Sequence, residues 1–198
     1  MIPNAKIMKL KREEETLENI KQVYISCKYP EDKYQAIATI YGLITVGKSV
    51  IFCQTRVDAT FLASRLAGDT HSVALLHGEL DESQRLHILN SFREGRAKIL
   101  ILTSAVQIRG MDFEQVTLVF NYDLPTDVNH QVDCDTYLHQ IGRTGRFGRM
   151  GIAINLVTPE AMVYLSKIRS HFNKRIHKLD IDDIEEVEKL ETYACIVE

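Results

Sequence analysis

Cysteine is scarce in this sequence of 198 residues, and its four copies lie far apart, at positions 27, 53, 134 and 195. No two of them form a C-x-x-C pair. Structural zinc sites and disulfide frameworks depend on closely spaced cysteines, so the pattern argues against both and suits a reducing compartment. The seven histidines show no metal-ligand spacing either. We therefore expect no metal site in this chain.

Long apolar runs and excess positive charge are also absent. No run of 18 apolar residues occurs, so no membrane-spanning helix is predicted, and the N-terminal stretch MIPNAKIMKLKREEE lacks the apolar core of a signal peptide. The 24 Lys and Arg residues are outnumbered by 27 Asp and Glu, so any nucleic-acid site must be a local cationic patch. Hydrophobic residues make up 45% of the chain, which is enough for a sizeable core.

Short apolar runs rich in β-branched residues alternate with amphipathic stretches. This pattern predicts an α/β fold with a mainly parallel central sheet and helices on both faces. Pro159 is expected in the first turn of the helix over 159–172. The acidic segment 179–191 has apolar residues at helical spacing, which predicts a terminal helix packed on the domain; a partly frayed tail is the alternative. The predicted strands are 20–27, 49–55, 72–77, 98–103, 117–123 and 151–158, and the other predicted helices are 31–44, 57–68, 81–95 and 135–142.

GLITVGKS, residues 42 to 49, fits the phosphate-loop pattern G-x-x-x-x-G-K-S/T. A working phosphate loop follows a strand and opens a helix, so that backbone N–H groups and the helix dipole hold the phosphates. Here the predicted helix comes first and the predicted strand follows Lys48. The β-branched residues between the two glycines resist the positive φ angles that a phosphate nest often needs. The strand KILILT also ends without a carboxylate for Mg²⁺. We interpret Lys48 as an ordinary residue at the start of a strand.

The segment HQIGRTGRFGRMG, residues 139 to 151, combines four glycines with Arg143, Arg146 and Arg149. Glycines allow the backbone to turn tightly, and arginines are planar donors suited to phosphate oxygens. Arginine fingers neutralise the charge that builds on a γ-phosphate during phosphoryl transfer. A basic surface turn that pairs with carboxylates elsewhere is the alternative.

Three further segments place polar residues just after predicted strands, where open α/β sheets bind ligands. TSAVQIRGMD (103–112) offers Ser104 and the backbone near Gly110 for phosphate, with Asp112 for a ribose hydroxyl; a plain turn with an Arg–Asp pair is the alternative. IFCQTR (51–56) and LLHGELDESQR (75–85) add a second set of candidates, namely Thr55, Arg56, Gly78, Gln84 and Arg85.

Taken in this order, the segments resemble the motifs of the C-terminal RecA-like lobe of DEAD-box RNA helicases, over roughly residues 20 to 175. IFCQTR resembles motif IV, LHGEL with the following Gln and Arg resembles motif IVa, SAVQIRGMD resembles motif V, and HQIGRTGRFGR resembles motif VI. The resemblance implies a RecA-like three-layer sandwich. The flanking stretches, among them HFNKRIHKLDIDDIEEVEKL, resemble the subfamily that remodels exported mRNA–protein complexes at the nuclear pore.

The resemblance implies half of an ATP-dependent RNA helicase. In the family, the N-terminal lobe carries the phosphate loop, the DEAD carboxylates that hold most of the Mg²⁺ and the adenine-reading motif, and none of these occurs in this sequence. The lone chain is therefore expected to be inactive. Residues 1–18 would be the lead-in from the first lobe, 19–178 the C-terminal RecA-like domain, and 179–198 an acidic helix or tail.

The same resemblance implies a role for each matching residue. Arg143 and Arg146 would be the arginine fingers and would contact ATP together with Asp112, whereas Arg109 and His139 would couple the two lobes. RNA would be held through its phosphates and 2′-hydroxyls, hence without sequence preference. The residues expected to lie at the RNA are Thr55, Arg56, Gly78, Arg85, Ser104 and Gly110.

Three departures from the family pattern stand out. Gln140 occupies a position where the family usually has Arg, which removes one charge from the network between the lobes. Ser104 replaces the usual Thr and keeps its hydroxyl. Ala105 and Ile108 replace a usual Asp or Asn and a usual Ala, which removes one polar partner from motif V.

The resemblance also implies partners and a location. The expected partners are RNA, the N-terminal lobe, and a helical-repeat mRNA-export activator that acts with inositol hexakisphosphate. The expected location is the cytoplasm and nucleus, at the cytoplasmic face of the nuclear pore. Two alternatives remain: a non-catalytic module or adaptor that binds a regulator, and an independent P-loop NTPase, which the order of elements around Lys48 disfavours.

Overall fold

A parallel sheet lies at the centre of the chain. The computed structural model describes residues 17–104, 106, 116–145 and 150–195. Within these ranges the strands are β1 (Ile20–Ser26), β2 (Lys48–Cys53), β3 (Val73–Leu76), β4 (Ile99–Thr103), β5 (Val116–Asn121), β6 (Gly151–Val157) and β7 (His177–Lys178). They form one sheet in the order β3-β4-β2-β5-β6-β1-β7, and each neighbouring pair is parallel. The prediction missed only β7, which has two exposed residues.

The burial of each strand follows its place in the sheet. In β2, β4 and β6, which lie inside the sheet, every residue is buried. Such near-continuous apolar runs are typical of parallel strands that are covered on both faces. The edge strand β3 instead alternates buried and half-buried residues, and β7 closes the opposite edge with exposed basic side chains, which discourage pairing with other strands.

Within the described ranges, six helices cover the two faces of the sheet. They are α1 (Asp32–Leu43), α2 (Arg56–Gly68), α3 (Glu82–Arg93), α4 (Cys134–Ile141), α5 (Met162–Phe172) and α6 (Ile184–Cys195). Helices α1, α2 and α6 pack on one face, and α3, α4 and α5 pack on the other. Neighbouring residues of a strand accordingly enter different cores: Ile101 joins the first and Leu102 the second. The predicted three-layer sandwich is confirmed.

One predicted helix begins later than expected. Pro159 lies before α5 instead of in its first turn. The backbone N–H of Ala161 donates to the carbonyl of Thr158 at 3.0 Å, so residues 158–161 form a separate turn. Helix α5 therefore starts at Met162.

The acidic C-terminal segment forms a packed helix. Val187 and Leu190 of α6 are buried against the core that includes Ile37 and Ile40 of α1. The four glutamates of α6 are exposed or half-buried. No helix in the described ranges has the length and apolar character needed to cross a membrane.

Candidate functional site

Five of the predicted site residues gather at one edge of the sheet. Because the strands are parallel, their carboxyl ends meet at the same edge, which we call the carboxyl edge. Each of these residues follows a neighbouring strand directly or lies in the first turns of the next helix. They are Thr55 and Arg56 after β2, Gly78 after β3, Arg85 in α3, and Ser104 after β4.

The turn after β2 is held by local bonds. Thr55 is the N-cap of α2: its hydroxyl accepts from the backbone N–H of Asp58 at 3.1 Å and donates to the Asp58 carboxylate at 2.5 Å. Arg56 pairs with Glu79, next to Gly78, and both side chains are more than half exposed. Exposed ion pairs of this kind contribute little to stability. Arg56 can therefore exchange Glu79 for a phosphate at small cost.

Ser104 and Arg85 offer different polar groups to the carboxyl edge. The Ser104 hydroxyl donates to the backbone oxygen of Gln54 at 2.9 Å, so its remaining capacity is to accept. Two buried nitrogens here, Nε of Arg85 and Nδ1 of His77, have no hydrogen-bond partner among the described residues. Because both atoms are enclosed, the group that a ligand can reach here is the Ser104 oxygen and not these two nitrogens.

Beneath the turn lies an ion pair that the sequence analysis missed. Lys33 of α1 donates to Oδ1 of Asp123 at 2.6 Å and to the Tyr122 backbone oxygen at 2.7 Å. The other oxygen of Asp123 accepts from the backbone N–H of Gln54 at 2.9 Å. A carboxylate does therefore follow a strand, β5, beside β2, but both of its oxygens are already used.

The described start of the arginine-rich segment, residues 139–145, lies at the opposite edge of the sheet. Helix α4 starts beyond β5 and returns to the beginning of β6, so its C-terminal end lies at the amino edge. The Thr144 hydroxyl donates to the backbone oxygen of Val116, the first residue of β5, at 2.9 Å. His139 and Arg143 therefore lie across the length of a strand from Arg56 and Ser104.

Glycine is required at this turn, as the sequence predicted. Gly145 has a φ of +68°, and a Cβ atom there would come within 2.9 Å of the Asn19 backbone oxygen. A Cβ atom on Gly151 would lie 2.2 Å from the hydroxyl of Thr144. Larger residues at either position would push the turn away from the start of β1 and β6.

Arg143 and Gln140 are both enclosed by the domain. Arg143 is 6% exposed, and its Nε donates to the backbone oxygen of His139 at 3.0 Å. Gln140 is 4% exposed, and its Oε1 has no hydrogen-bond partner among the described residues. At a position where the family usually has Arg, this chain therefore has a buried Gln140 whose amide oxygen lacks a described hydrogen-bond partner. His139 remains exposed.

A buried polar network fixes α4 to the sheet. The Tyr137 hydroxyl donates to Gln22 of β1 at 2.9 Å and accepts from Asn155 of β6 at 3.3 Å. Asn155 in turn accepts from Asn121 of β5 at 2.8 Å. Burial raises the pKa of the Tyr137 hydroxyl far above its usual value, so the group keeps its proton as a donor. Apolar periodicity does not reveal such a network.

Asp133 caps helix α4, which ends two residues before Arg143. Its carboxylate accepts from the backbone N–H of Thr136 at 2.9 Å and from the Thr136 hydroxyl at 2.6 Å. Burial alone would raise the pKa of Asp133, but the bonds from Thr136 and the N–H of Asp135 outweigh burial and hold the pKa below its usual value.

Loss of this cap should destabilise the domain. We expect Asp133→Ala to lower the free energy of unfolding by about 1 kcal/mol at neutral pH. Because the native pKa is lowered, the charge-dependent part of this stability is present above the ordinary carboxyl pKa and is lost as pH falls through the native pKa. The free energies of unfolding of the native chain and of Asp133→Asn, measured by denaturant titration, should therefore converge in acid. A difference between these free energies that stayed constant with pH would contradict this assignment.

Several predicted residues lie outside the described part of the chain. Arg109, Gly110, Asp112 and Arg146 are among them, as are the departures at Ala105 and Ile108. The described residues thus form two groups. The carboxyl edge has Thr55, Arg56, Gly78, Arg85 and Ser104, and the amino edge has His139, Gln140 and Arg143.

GLITVGKS does not have the geometry of a phosphate loop. Gly42 lies in the last turn of α1, and Lys48 is the first residue of β2. The Lys48 ammonium donates to the Arg93 backbone oxygen at 2.9 Å and lies over the Phe92 ring. Lys48 is therefore a structural residue, as the order of elements predicted. In the described ranges no three His, Cys, Asp or Glu residues are grouped to hold a metal ion.

Comparison with known families gives a match over more than half of the chain. Residues 32–148 match the helicase conserved C-terminal domain. The DEAD-box helicase Dbp80 of Drosophila melanogaster is 51% identical over 193 residues, which cover 97% of this chain and 42% of the relative. The human ATP-dependent RNA helicase DDX19A is 48% identical over 96% of this chain and 40% of its own length. The chain thus spans about two fifths of these relatives.

Solved structures give the same result. The chain superposes on Saccharomyces cerevisiae Dbp5 bound to RNA and ADP BeF3 with a TM-score of 0.82 at 43% identity, covering 89% of this chain and 45% of that one. It also matches a Dbp5 C-terminal domain bound to Gle1 and IP6, with a TM-score of 0.80 at 40% identity. That match covers 88% of this chain and 98% of the domain.

Proposed function

Because this chain belongs to the helicase C-terminal domain family of the DEAD-box proteins, we propose that it is the second half of an RNA-dependent ATPase that remodels RNA–protein complexes. The observation that carries the proposal is the separation of two polar groups on one rigid sheet. Residues suited to an RNA backbone lie at the carboxyl edge, and an arginine-bearing turn lies at the amino edge. We assign residues 1–18 to the connection from the first lobe, 19–178 to this domain and 179–198 to an acidic C-terminal segment.

In this proposal Arg143 and His139, at the amino edge, serve ATP and the coupling of the domains. Arg143 and Arg146 act as arginine fingers on the γ-phosphate, Asp112 contacts the ribose, and Arg109 joins His139 in coupling the domains. Arg109, Asp112 and Arg146 are assigned by their motifs and lie outside the described residues. The described residue that supports this role is Arg143, in the turn that follows α4. The N-terminal lobe then holds most of the nucleotide and Mg²⁺. ATP supplies the phosphoryl group, and the arginines neutralise the charge that develops on it.

The carboxyl edge serves RNA. Arg56 and Arg85 supply cations, the Ser104 oxygen can accept from a 2′-hydroxyl, and Gly78 lets a backbone approach closely. Gly110, which lies outside the described residues, is assigned to RNA by its motif. Thr55 contributes through the turn that it caps, since its hydroxyl is already bonded to Asp58. Contacts of this kind recognise sugar and phosphate, so binding should not depend on base sequence.

Regulation by an export factor is the second part of the proposal. A Dbp5 C-terminal domain 40% identical to this chain binds Gle1 with IP6. We propose that this domain likewise binds a helical-repeat activator with inositol hexakisphosphate, in mRNA export between nucleus and cytoplasm at the nuclear pore. A domain that only binds such a regulator remains the second candidate function.

Comparing the chain alone with the chain joined to its N-terminal lobe tests the proposal. We expect no ATP turnover above background from the isolated chain and RNA-stimulated turnover from the joined protein. The isolated chain should bind single-stranded RNA weakly, with affinity that falls steeply with salt.

Two outcomes would overturn the proposal. Nucleotide binding by the isolated chain that is lost in Lys48→Ala would indicate an independent NTPase. A folded two-lobe protein that binds the regulator but never hydrolyses ATP would favour the adaptor.

A further inference from the structure

The ion pair between Lys33 and Asp123 joins three elements at the carboxyl edge. Lys33 belongs to α1, Asp123 follows β5, and the Asp123 carboxylate reaches the turn after β2 through the N–H of Gln54. Lys33 is 8% exposed and Asp123 24%. The ammonium also lies 4.8 Å from the centre of the Tyr122 ring.

The bonds of this pair form a continuous chain to two proposed RNA-binding strand ends. Asp123 accepts from the N–H of Gln54 at 2.9 Å, and the backbone oxygen of Gln54 accepts from the Ser104 hydroxyl at 2.9 Å. Gln54 is therefore fixed through both its N–H and its carbonyl. The next residues along the chain are Thr55 and Arg56, so the position of Gln54 sets where Arg56 leaves the sheet.

A stabilising role alone does not explain the arrangement. Buried ion pairs are often no more stabilising than apolar residues of the same volume, because desolvation offsets their attraction. They do impose a specific geometry, since a carboxylate offers two fixed acceptors. Here one acceptor faces the cation and the other faces the backbone of the turn.

We propose that Lys33 and Asp123 are positioning residues that hold the Gln54–Arg56 turn in the orientation needed to bind an RNA backbone. This inference rests on the proposed function. Asn at position 123 has the same shape but only one acceptor, so it can satisfy Lys33 or Gln54 but not both. Replacing Asp123 by Asn should therefore release the turn while the side-chain volume stays the same.

The test uses the two-lobe protein and measures ATP turnover against the concentration of single-stranded poly(U) RNA. We expect Asp123→Asn to raise the RNA concentration at half-maximal turnover roughly fivefold, the effect of a coupling of ~1 kcal/mol. Turnover at saturating RNA should stay close to native, because the amino edge is untouched. Lys33→Met should give the same shift. Lys33→Arg, which keeps the cation, should have an RNA dependence close to that of the native protein.

A destabilised control separates positioning from general loss of stability. Val187→Ala removes core volume under α6 but none of the hydrogen bonds that hold the turn, and should lower the melting temperature without shifting the RNA dependence. The amide resonances of Gln54 and Arg56 should move in Asp123→Asn and stay in place in Val187→Ala. An equal shift of RNA dependence in Val187→Ala would overturn the inference.

A third variant distinguishes failure of the inference from failure of the proposed function. Arg56→Ala removes a proposed RNA contact directly. If Arg56→Ala weakens RNA binding and Asp123→Asn does not, the positioning role is wrong and the RNA site stands. If Arg56→Ala and Asp123→Asn both leave RNA binding unchanged, the RNA site is wrong and the inference fails with it.

Discussion

ATP turnover by the two-lobe protein should fall by about a thousandfold or more when Arg143 is replaced by alanine, which is the size of effect that arginine fingers have in phosphoryl transfer. RNA binding should persist, because Arg143 lies at the amino edge and the proposed RNA contacts lie at the carboxyl edge. Steady-state turnover and RNA affinity, measured on the same preparation, check both parts of this prediction.

The burial of Arg143 requires a control for folding. Its side chain is enclosed and bonded to the backbone of His139, so alanine could lower activity by loosening the turn. Arg143→Lys keeps a cation but loses the planar fork, and should also be strongly impaired while remaining folded. Arg96→Ala, at an exposed arginine paired with Glu94, should have native turnover. Native turnover in Arg143→Ala would mean that the resemblance to motif VI is structural only, and would favour the regulator-binding module.

Among the predicted substitutions, Asn155→Ala should give the largest loss of stability. Asn155 is fully buried, accepts from Asn121 and donates to the backbone oxygen of Val23 at 2.9 Å. Alanine leaves these partners buried without hydrogen bonds, which should lower the free energy of unfolding by about 3 kcal/mol. For a domain of this size the melting temperature should drop by roughly 6–12 °C. Thermal and denaturant unfolding of the isolated chain measure both quantities.

Asn129 provides a matched substitution. It is exposed in the loop before α4, so Asn129→Ala should change stability by less than about 0.5 kcal/mol. If Asn155→Ala were as mild as Asn129→Ala, the network beneath α4 would not be what anchors this helix.

The strands and helices were predictable because each one buries a periodic set of apolar residues within a short stretch of sequence. The strand KILILT and the helix around Ile37 and Ile40 are examples. Their predicted boundaries agree with the observed ones to within two residues. Pro159 failed as a marker because a separate turn precedes the helix. Local pattern does not distinguish a proline in that turn from one in the helix.

The separation of the site into two edges could have been deduced from topology. A segment that precedes a parallel strand must lie at the amino edge, and the arginine-rich segment precedes β6. The ion pair was harder to find, because its partners are 90 positions apart. One signal was present: Lys33 falls on the same helix face as Ala36, Ile37 and Ile40. A cation within an apolar stripe indicates a buried partner.

The distance between the edges limits how the two proposed ligands can influence each other. Strand β2 has six residues, so at about 3.3 Å per residue the edges are roughly 20 Å apart. In the proposed function, RNA bound at Arg56 and ATP bound at Arg143 therefore do not touch each other across this sheet. Any effect of one on the other is then a free energy of coupling between the two sites. Such a coupling is reciprocal: a factor by which ATP tightens RNA binding equals the factor by which RNA tightens ATP binding.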